Sequence, residues 1–133
     1  MPEGPYLSCA YDYLADYDLQ ACLAEALCRL MSRTFRPDFI HQCFEDKYLA
    51  GAFQQIRSEE FETDCRIFLN LLNERLGDKR RVYTFPCISA FAGMEEMKQP
   101  SDLDAFWVDF NIGSQSVTVY VDSTEVTAKP RWL

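Results

Sequence analysis

The sequence predicts an α+β protein, with helices in its first half and strands in its second. Three observations predict this. Up to Leu76 the apolar residues recur at threes and fours, the spacing of one helix face. From Val82 onward they alternate and are rich in β-branched and aromatic types, as strands prefer. The change of period falls inside one stretch, Phe61 to Phe91, which joins the two kinds of structure.

In chain order, Tyr6 to Tyr13 is aromatic and reads as the tail of an earlier helix. Asp16 or Asp18 can cap the next helix, whose stripe is Leu19, Cys22, Leu23, Ala26, Leu27, Leu30 and Met31. That spacing predicts a core face. Ser32 to Arg36 is a turn, and Pro37 suits the start of a helix running to about Phe44. Phe39, Ile40, Cys43 and Phe44 are its buried side. Asp46 can cap a third helix, with Tyr48, Leu49, Phe53 and Ile56 as its apolar set. Ser58 precedes a fourth, in which Phe61, Cys65, Phe68, Leu72 and Leu76 share a face. Arg75 in the last turn suits the helix dipole, and Gly77 supplies the positive φ that lets the helix stop.

Val82 to Phe91 then reads as a strand. Pro86 has no N–H for a ladder, which puts this strand at an edge or a bend. Gly93 allows a turn, and Met94 to Met97 continues a β-meander. Lys98 to Asp104 is a loop with a helical turn after Ser101. Phe106, Val108 and Phe110 form one face of a strand, and Asn111 to Ser114 has turn chemistry. Val117, Val119 and Val121 form one face of the returning strand. After Asp122 the pattern fades, and Pro130 to Leu133 has no visible partner. Four short amphipathic helices joined by tight turns resemble stacked helical pairs of the armadillo or HEAT kind, which need neighbours to cover their faces.

The chain has 133 residues, 48% of them hydrophobic, enough to bury a core. No apolar run reaches the roughly 18 residues of a membrane span. The N-terminus lacks a basic segment followed by an apolar one, so no signal peptide is expected. These features predict a cytosolic or nuclear protein. The net charge of −8 argues against a generic nucleic-acid grip. Most of the acidic excess lies before Gly77, so the β half has room for a local basic patch. Cys9, Cys22, Cys28, Cys43, Cys65 and Cys87 include no C-x-x-C pair and read as packed thiols.

Little in the sequence points to reaction chemistry. His41 is the only histidine and has no partner at zinc-ligand spacing. A nucleophilic cysteine paired with His41 has no local motif to mark it. Glu59-Glu60 and Glu95-Glu96 read as solvated faces. P-loop, dinucleotide and nucleophile-elbow motifs are all missing. No enzymatic activity, cofactor or metal is expected. The one feature with functional promise is Lys79-Arg80-Arg81, whose charges suit phosphate, an acidic histone surface or an acidic peptide. The plainer reading is a solvated turn between helix and strand.

Several longer segments resemble the synaptonemal complex protein 2 family. They are Ala24 to Leu30, Phe61 to Arg66, Leu76 to Tyr83, Phe85-Pro86-Cys87 and Phe106 to Ser116. The resemblance runs from about Tyr17 to Val121. It implies an armadillo-like helical domain followed by a pleckstrin-homology-like β domain, similar to the middle domain of a histone chaperone. Residues 1–77 would be the end of the first, and residues 78–133 the first strands of the second. The family builds lateral elements of the meiotic chromosome axis. The resemblance therefore implies a non-enzymatic module in the nucleus, on chromosomes, whose partners are axis or centromere proteins. Histone or DNA contact through Lys79, Arg80 and Arg81 is the alternative. The coiled coil through which the family joins synaptonemal complex protein 3 lies outside this chain. Pleckstrin-like folds close their sheet with further strands and a helix, so Phe106 to Val121 is expected to be a marginal hairpin with an uncovered face.

Overall fold

The computed structural model describes residues 11, 13–32, 34, 36–100, 103, 105–121 and 124–128. The helices are α1 (Tyr17–Leu30), α2 (Arg36–Cys43), α3 (Lys47–Gln54) and α4 (Phe61–Leu76), followed by a 3-10 turn, Gly77–Lys79. The strands are β1 (Val82–Cys87), β2 (Phe91–Ala92), β3 (Glu95–Glu96), β4 (Phe106–Asn111), β5 (Ser116–Val121) and β6 (Thr124–Ala128). The fold is α+β. Strands β1-β4-β5-β6 form one antiparallel sheet, and β2 and β3 form a separate ribbon. The expectations for a helical turn after Ser101 and for the tail from Pro130 lie outside the described residues, as does most of Tyr6 to Tyr13.

The helical core is aromatic. Phe44, Phe53 and Phe68 pack with centroids 5.1 to 5.7 Å apart, and Tyr11 closes over Phe68 at 6.2 Å. Ile40, Ile56, Leu69 and Leu72 fill the spaces between them, and Val82 of β1 joins from the sheet. Arg36, expected in a turn, begins α2 and is buried in this core. It donates to the carbonyls of Phe53 (3.2 Å) and Ile56 (2.8 Å), at the end of α3 and just beyond it, where the regular helical acceptor pattern has run out. Its guanidinium also lies over the Phe53 ring. Asp46 caps α3 by accepting from the Tyr48 and Leu49 N–H groups. Gly77, at φ +57°, ends α4 as its sequence position implies.

Several elements differ from expectation. The buried face of α1 is rotated by one position: Tyr17, Gln20, Ala24 and Leu27 are inside, while Leu19, Cys22, Ala26 and Leu30 are exposed. The cause is Gln20, whose side-chain amide exchanges two hydrogen bonds with that of Asn73 on α4, at 2.8 and 2.9 Å. That reciprocal pair satisfies both groups and makes a polar residue the centre of the packed face. Phe39 and Tyr48 are likewise exposed. Strand β1 is an edge strand, but it stops at Cys87, leaving Ile88 fully exposed and Phe91 in the small ribbon. The pattern does not fade after Asp122: β6 pairs with β5, Val117 opposite Ala128 through Val121 opposite Thr124. The β4–β5 hairpin is therefore the centre of a four-stranded sheet.

Candidate interaction surface

The sheet meets the helices with its polar face. Alternation along β4 points Trp107, Asp109 and Asn111 inward, toward α1 and α4. Opposite them in register stand Val82, Thr84 and Pro86 of β1 and Ser116 and Thr118 of β5. Arg66 of α4 reaches this face. Its guanidinium donates two hydrogen bonds to the Asp109 carboxylate, at 2.8 and 3.1 Å, and a third to the Thr84 hydroxyl at 3.3 Å. Both side chains of the ion pair are buried. The guanidinium lies 3.8 Å from the Tyr17 ring centroid, 5.1 Å from Tyr120 and 5.4 Å from Trp107. Burial works against the Arg66 charge, but the Asp109 hydrogen bond and the neighbouring Tyr17 and Asp109 groups outweigh it, so the guanidinium pKa is raised. Burial pushes the Tyr17 hydroxyl up despite the adjacent Arg66.

A second set of bonds fixes the start of α1 to the β4–β5 turn. The Tyr17 N–H donates to Asn111 Oδ1 at 2.9 Å, and the Ser114 N–H donates to Asp16 Oδ1 at 2.8 Å. Asp16 occupies the N-cap position of α1, yet its side chain makes no capping bond within that helix. The Gly113 N–H donates to the Ala15 carbonyl at 3.0 Å. Gly113 is needed for this approach and not for its φ: a Cβ there would meet Ala15 Cβ and Asp16 Oδ1 at 2.8 Å. The positive φ of the turn falls on Gln115 instead. The Tyr120 hydroxyl donates to Asp18 at 2.6 Å.

The opposite face of the sheet carries Tyr83, Phe85 and Cys87 from β1, Phe106, Val108 and Phe110 from β4, and Val117 and Val119 from β5. This apolar set, expected to be left uncovered, faces away from the helices. Phe106 is buried, but Phe85 (52% exposed) and Phe110 (42%) form an edge-on pair open to solvent, with centroids 5.8 Å apart.

Lys79, Arg80 and Arg81 lie between α4 and β1. Lys79 closes the 3-10 turn, whose Gly77 carbonyl accepts from the Arg80 N–H at 3.0 Å. Lys79 and Arg81 are exposed, whereas Arg80 is half-buried with its guanidinium 4.5 Å from the Tyr83 ring centroid. Tyr83 stands on the outer face of the sheet, so the basic turn borders the open aromatic surface. The Arg80 Nε is buried and has no hydrogen-bond partner among the described residues.

His41 is exposed on α2. Among the described residues, no three His, Cys, Asp or Glu side chains group as a metal-ligand set. Burial pushes the Cys65 thiol up to about 12, with the Glu62 charge adding to the effect. Burial raises the Cys28 and Cys43 thiols as well. An activated nucleophile needs the opposite shift. Among the described residues, no helix is long and apolar enough to cross a membrane.

What the geometry defines is an α+β structural module whose buried polar groups bind one another across a helix–sheet seam. Residues 82–131 match the family described as the synaptonemal complex 2 Spt16M-like domain. Over 112 residues, 83% of the chain, it is 54% identical to synaptonemal complex protein 2-like of Xenopus laevis, of which it covers 12%. It is 55% identical over 108 residues, 80% of the chain, to human synaptonemal complex protein 2, of which it covers 7%. A solved structure of a synaptonemal complex protein superposes with a TM-score of 0.78 at 50% identity, covering 86% of this chain and 31% of that one. The chain is thus similar over most of its length to the synaptonemal complex protein 2 family and spans only a small part of these curated relatives.

Proposed function

We propose that this chain is a non-enzymatic interaction module of the meiotic chromosome axis, within the lateral element of the synaptonemal complex. Its work is to present surfaces to protein partners in the nucleus. The observation that carries this reading is the 50% identity and shared backbone with a solved synaptonemal complex protein. At that identity, the module and its relatives are expected to share their setting. In this reading residues 1–77 are the end of an armadillo-like unit, and residues 78–133 belong to a pleckstrin-homology-like unit. The partners are axis or centromere proteins. The seam around Arg66 and Asp109 supports such a role, because it holds two surfaces in a fixed relation.

The test is to express the tagged chain in meiotic cells and image it against the chromosome axes. Co-localisation with the axes is the expected result. A chain that stays diffuse while a full-length relative decorates the axes overturns the reading.

A second reading is direct contact with chromatin through Lys79, Arg80 and Arg81. What favours it is the exposure of Lys79 and Arg81, neither of which has an ion pair among the described residues. Replacing all three with Glu should then abolish nucleosome binding and leave helical content intact. A parent chain that never binds nucleosomes at low salt overturns it.

A further inference from the structure

We propose that a second copy of this chain docks head to tail on the first, with its exposed Lys79 and Arg81 entering a glutamate-rimmed groove at the start of α4. The inference goes beyond the reading of the chain as an interaction module, because it names one partner and the geometry of the contact.

The groove lies where α1 ends and α4 begins. Two adjoining cavities, of about 180 and 340 Å³, share Glu25, Ser58 and Phe61. Their floor is apolar: Ile56 is buried, and Cys28 and Phe61 are half-buried. Glu25, Glu59, Glu60 and Glu62 stand exposed around it. Two arginines also line the groove, and both are engaged elsewhere. Arg29 pairs with Glu25 at 2.8 Å. Arg36 is buried and donates to the carbonyls of Met31, Phe53 and Ile56. Glu59, Glu60 and Glu62 have no ion pair among the described residues. An apolar floor under a carboxylate rim suits a lysine or arginine side chain, whose methylenes bury while its charged head meets the rim.

The complementary charge is in the same chain. Lys79 and Arg81 are exposed and have no ion pair among the described residues. Helix α4 has 16 residues. At 1.5 Å per residue its ends lie about 24 Å apart. The glutamates flank its first turn and the basic turn follows its last, so one copy does not bring them together. Between copies they meet, and the contact is heterologous: each copy keeps a free turn at one end and a free groove at the other. Such contacts extend as an open chain unless their rotation closes a ring.

Two considerations bear on whether the groove stays open and the copies approach. Further helices would take the exposed apolar stripe of α1, Leu19, Cys22, Ala26 and Leu30, whereas the groove opens where helices end and begin. The net charge of −8 sets copies against each other, but physiological salt screens that repulsion beyond about 8 Å. The docked charges are closer than that, so they prevail locally.

The experiment is analytical ultracentrifugation of the full purified chain over a wide concentration range at physiological salt. The average mass should rise with concentration and pass that of a dimer, and added salt should lower it. Glu59→Lys with Glu60→Lys reverses the groove, and Lys79→Glu with Arg81→Glu reverses the turn. All four sites are exposed, so the circular dichroism spectrum should not change. Each reversed chain should associate at least about tenfold more weakly than the parent, a difference of about 1.4 kcal/mol. An equal mixture of the two should associate again, because each groove then meets a turn of opposite charge.

A parent that stays monomeric throughout overturns the proposal, and so does a mixture of the two folded variants that stays monomeric. A dimer that Phe110→Ser dissolves and the charge reversals leave intact would give self-association to the sheet, and it overturns the proposal too. So does dissociation of the assembly by a short DNA duplex, which would give the turn to nucleic acid, or by an unrelated lysine-rich peptide at equal concentration, which would give the groove to any basic segment. A chain that decorates meiotic axes but stays monomeric defeats only this inference. One that associates as described but stays off the axes defeats only the functional reading.

Discussion

Arg66 on α4 holds Asp109 on β4 through two hydrogen bonds, and both side chains are buried at the junction of helices and sheet. Removing either partner leaves a charge without compensation in a low-dielectric site. Arg66→Ala or Asp109→Ala should each cost about 3–5 kcal/mol, measured by urea unfolding. The paired replacement Arg66→Met with Asp109→Leu should recover much of that loss, because the desolvation of both charges disappears together. Single variants that lose less than about 1 kcal/mol would show that water reaches the pair and that the seam is not held by it.

Gly113 brings the β4–β5 turn against Ala15 and Asp16. Gly113→Ala should force the two segments apart and weaken the Gly113-to-Ala15 and Ser114-to-Asp16 hydrogen bonds. The expected loss is about 1–3 kcal/mol, the range for overpacking. An unchanged urea midpoint would mean that the turn adjusts freely.

Asp46 both caps α3 and accepts from Arg75. Partial burial opposes its charge, but the Arg75 bond and the two backbone bonds prevail, and its pKa is lowered. A carboxyl whose folded pKa lies below its unfolded value stabilises the fold above the unfolded value. That contribution is lost as pH falls through the folded value. Asp46→Asn should therefore flatten the acid limb of the stability profile below about pH 4, the ordinary carboxylate range. Asp46→Ala should also cost about 1 kcal/mol at neutral pH through loss of the cap. An acid limb identical in Asp46→Asn and the parent would remove Asp46 from the acid response.

The helices are legible in the sequence because their apolar residues keep a period near 3.6, and Asp46 and Gly77 carry capping chemistry visible in any sequence. Helix α1 is misphased by that reasoning because apolar periodicity cannot weigh a buried polar residue. Gln20 is inside only because Asn73, far along the chain, answers it. The uncovered apolar face of Phe106, Val108 and Phe110 is legible as such, but that the helices take the polar face is not, and Arg66 makes this tolerable by neutralising Asp109. A signal is present: Asp109 is the one charge within the aromatic run Phe106 to Phe110, and Arg66 interrupts the apolar side of α4. Strand β6 escapes the pattern because Thr124, Glu125 and Thr127 dilute its alternation. Lys79, Arg80 and Arg81 are visible as a charge cluster, but their position beside the open aromatic face depends on the register of β1 against β4.

The cysteines separate two chemical readings. Cys22 is exposed, whereas Cys43 and Cys65 are buried. Thiolate is the reactive form, and Cys65, pushed up to about 12, holds almost none at neutral pH. Under native conditions Cys22 should react with a thiol probe first, and Cys65 only on unfolding. Fast labelling of Cys65 in the folded chain would revive a nucleophilic role and contradict its burial.

On sequence alone the sheet reads as a marginal hairpin that exchanges its amide hydrogens much faster than the first helix. The structure gives reason to expect otherwise. Strand β4 is paired on both sides, by β1 and β5, and β5 is paired by β4 and β6. Their inner face is held to α4 through Arg66 and to α1 through Asn111 and Asp16. Amides in such a position exchange only when strands and helices open together. In dilute monomer, Val108 to Asn111 should therefore match the protection of Phe68 to Leu72 within about tenfold. The edge positions of β1 should exchange faster. Asp109→Ala should separate the two sets, lowering strand protection more than that of the α4 core, because the aromatic cluster of Phe44, Phe53 and Phe68 packs by itself within the helices. If the parent strands already exchange far faster than α4, the seam does not couple the layers, and helices and sheet are separate cooperative units.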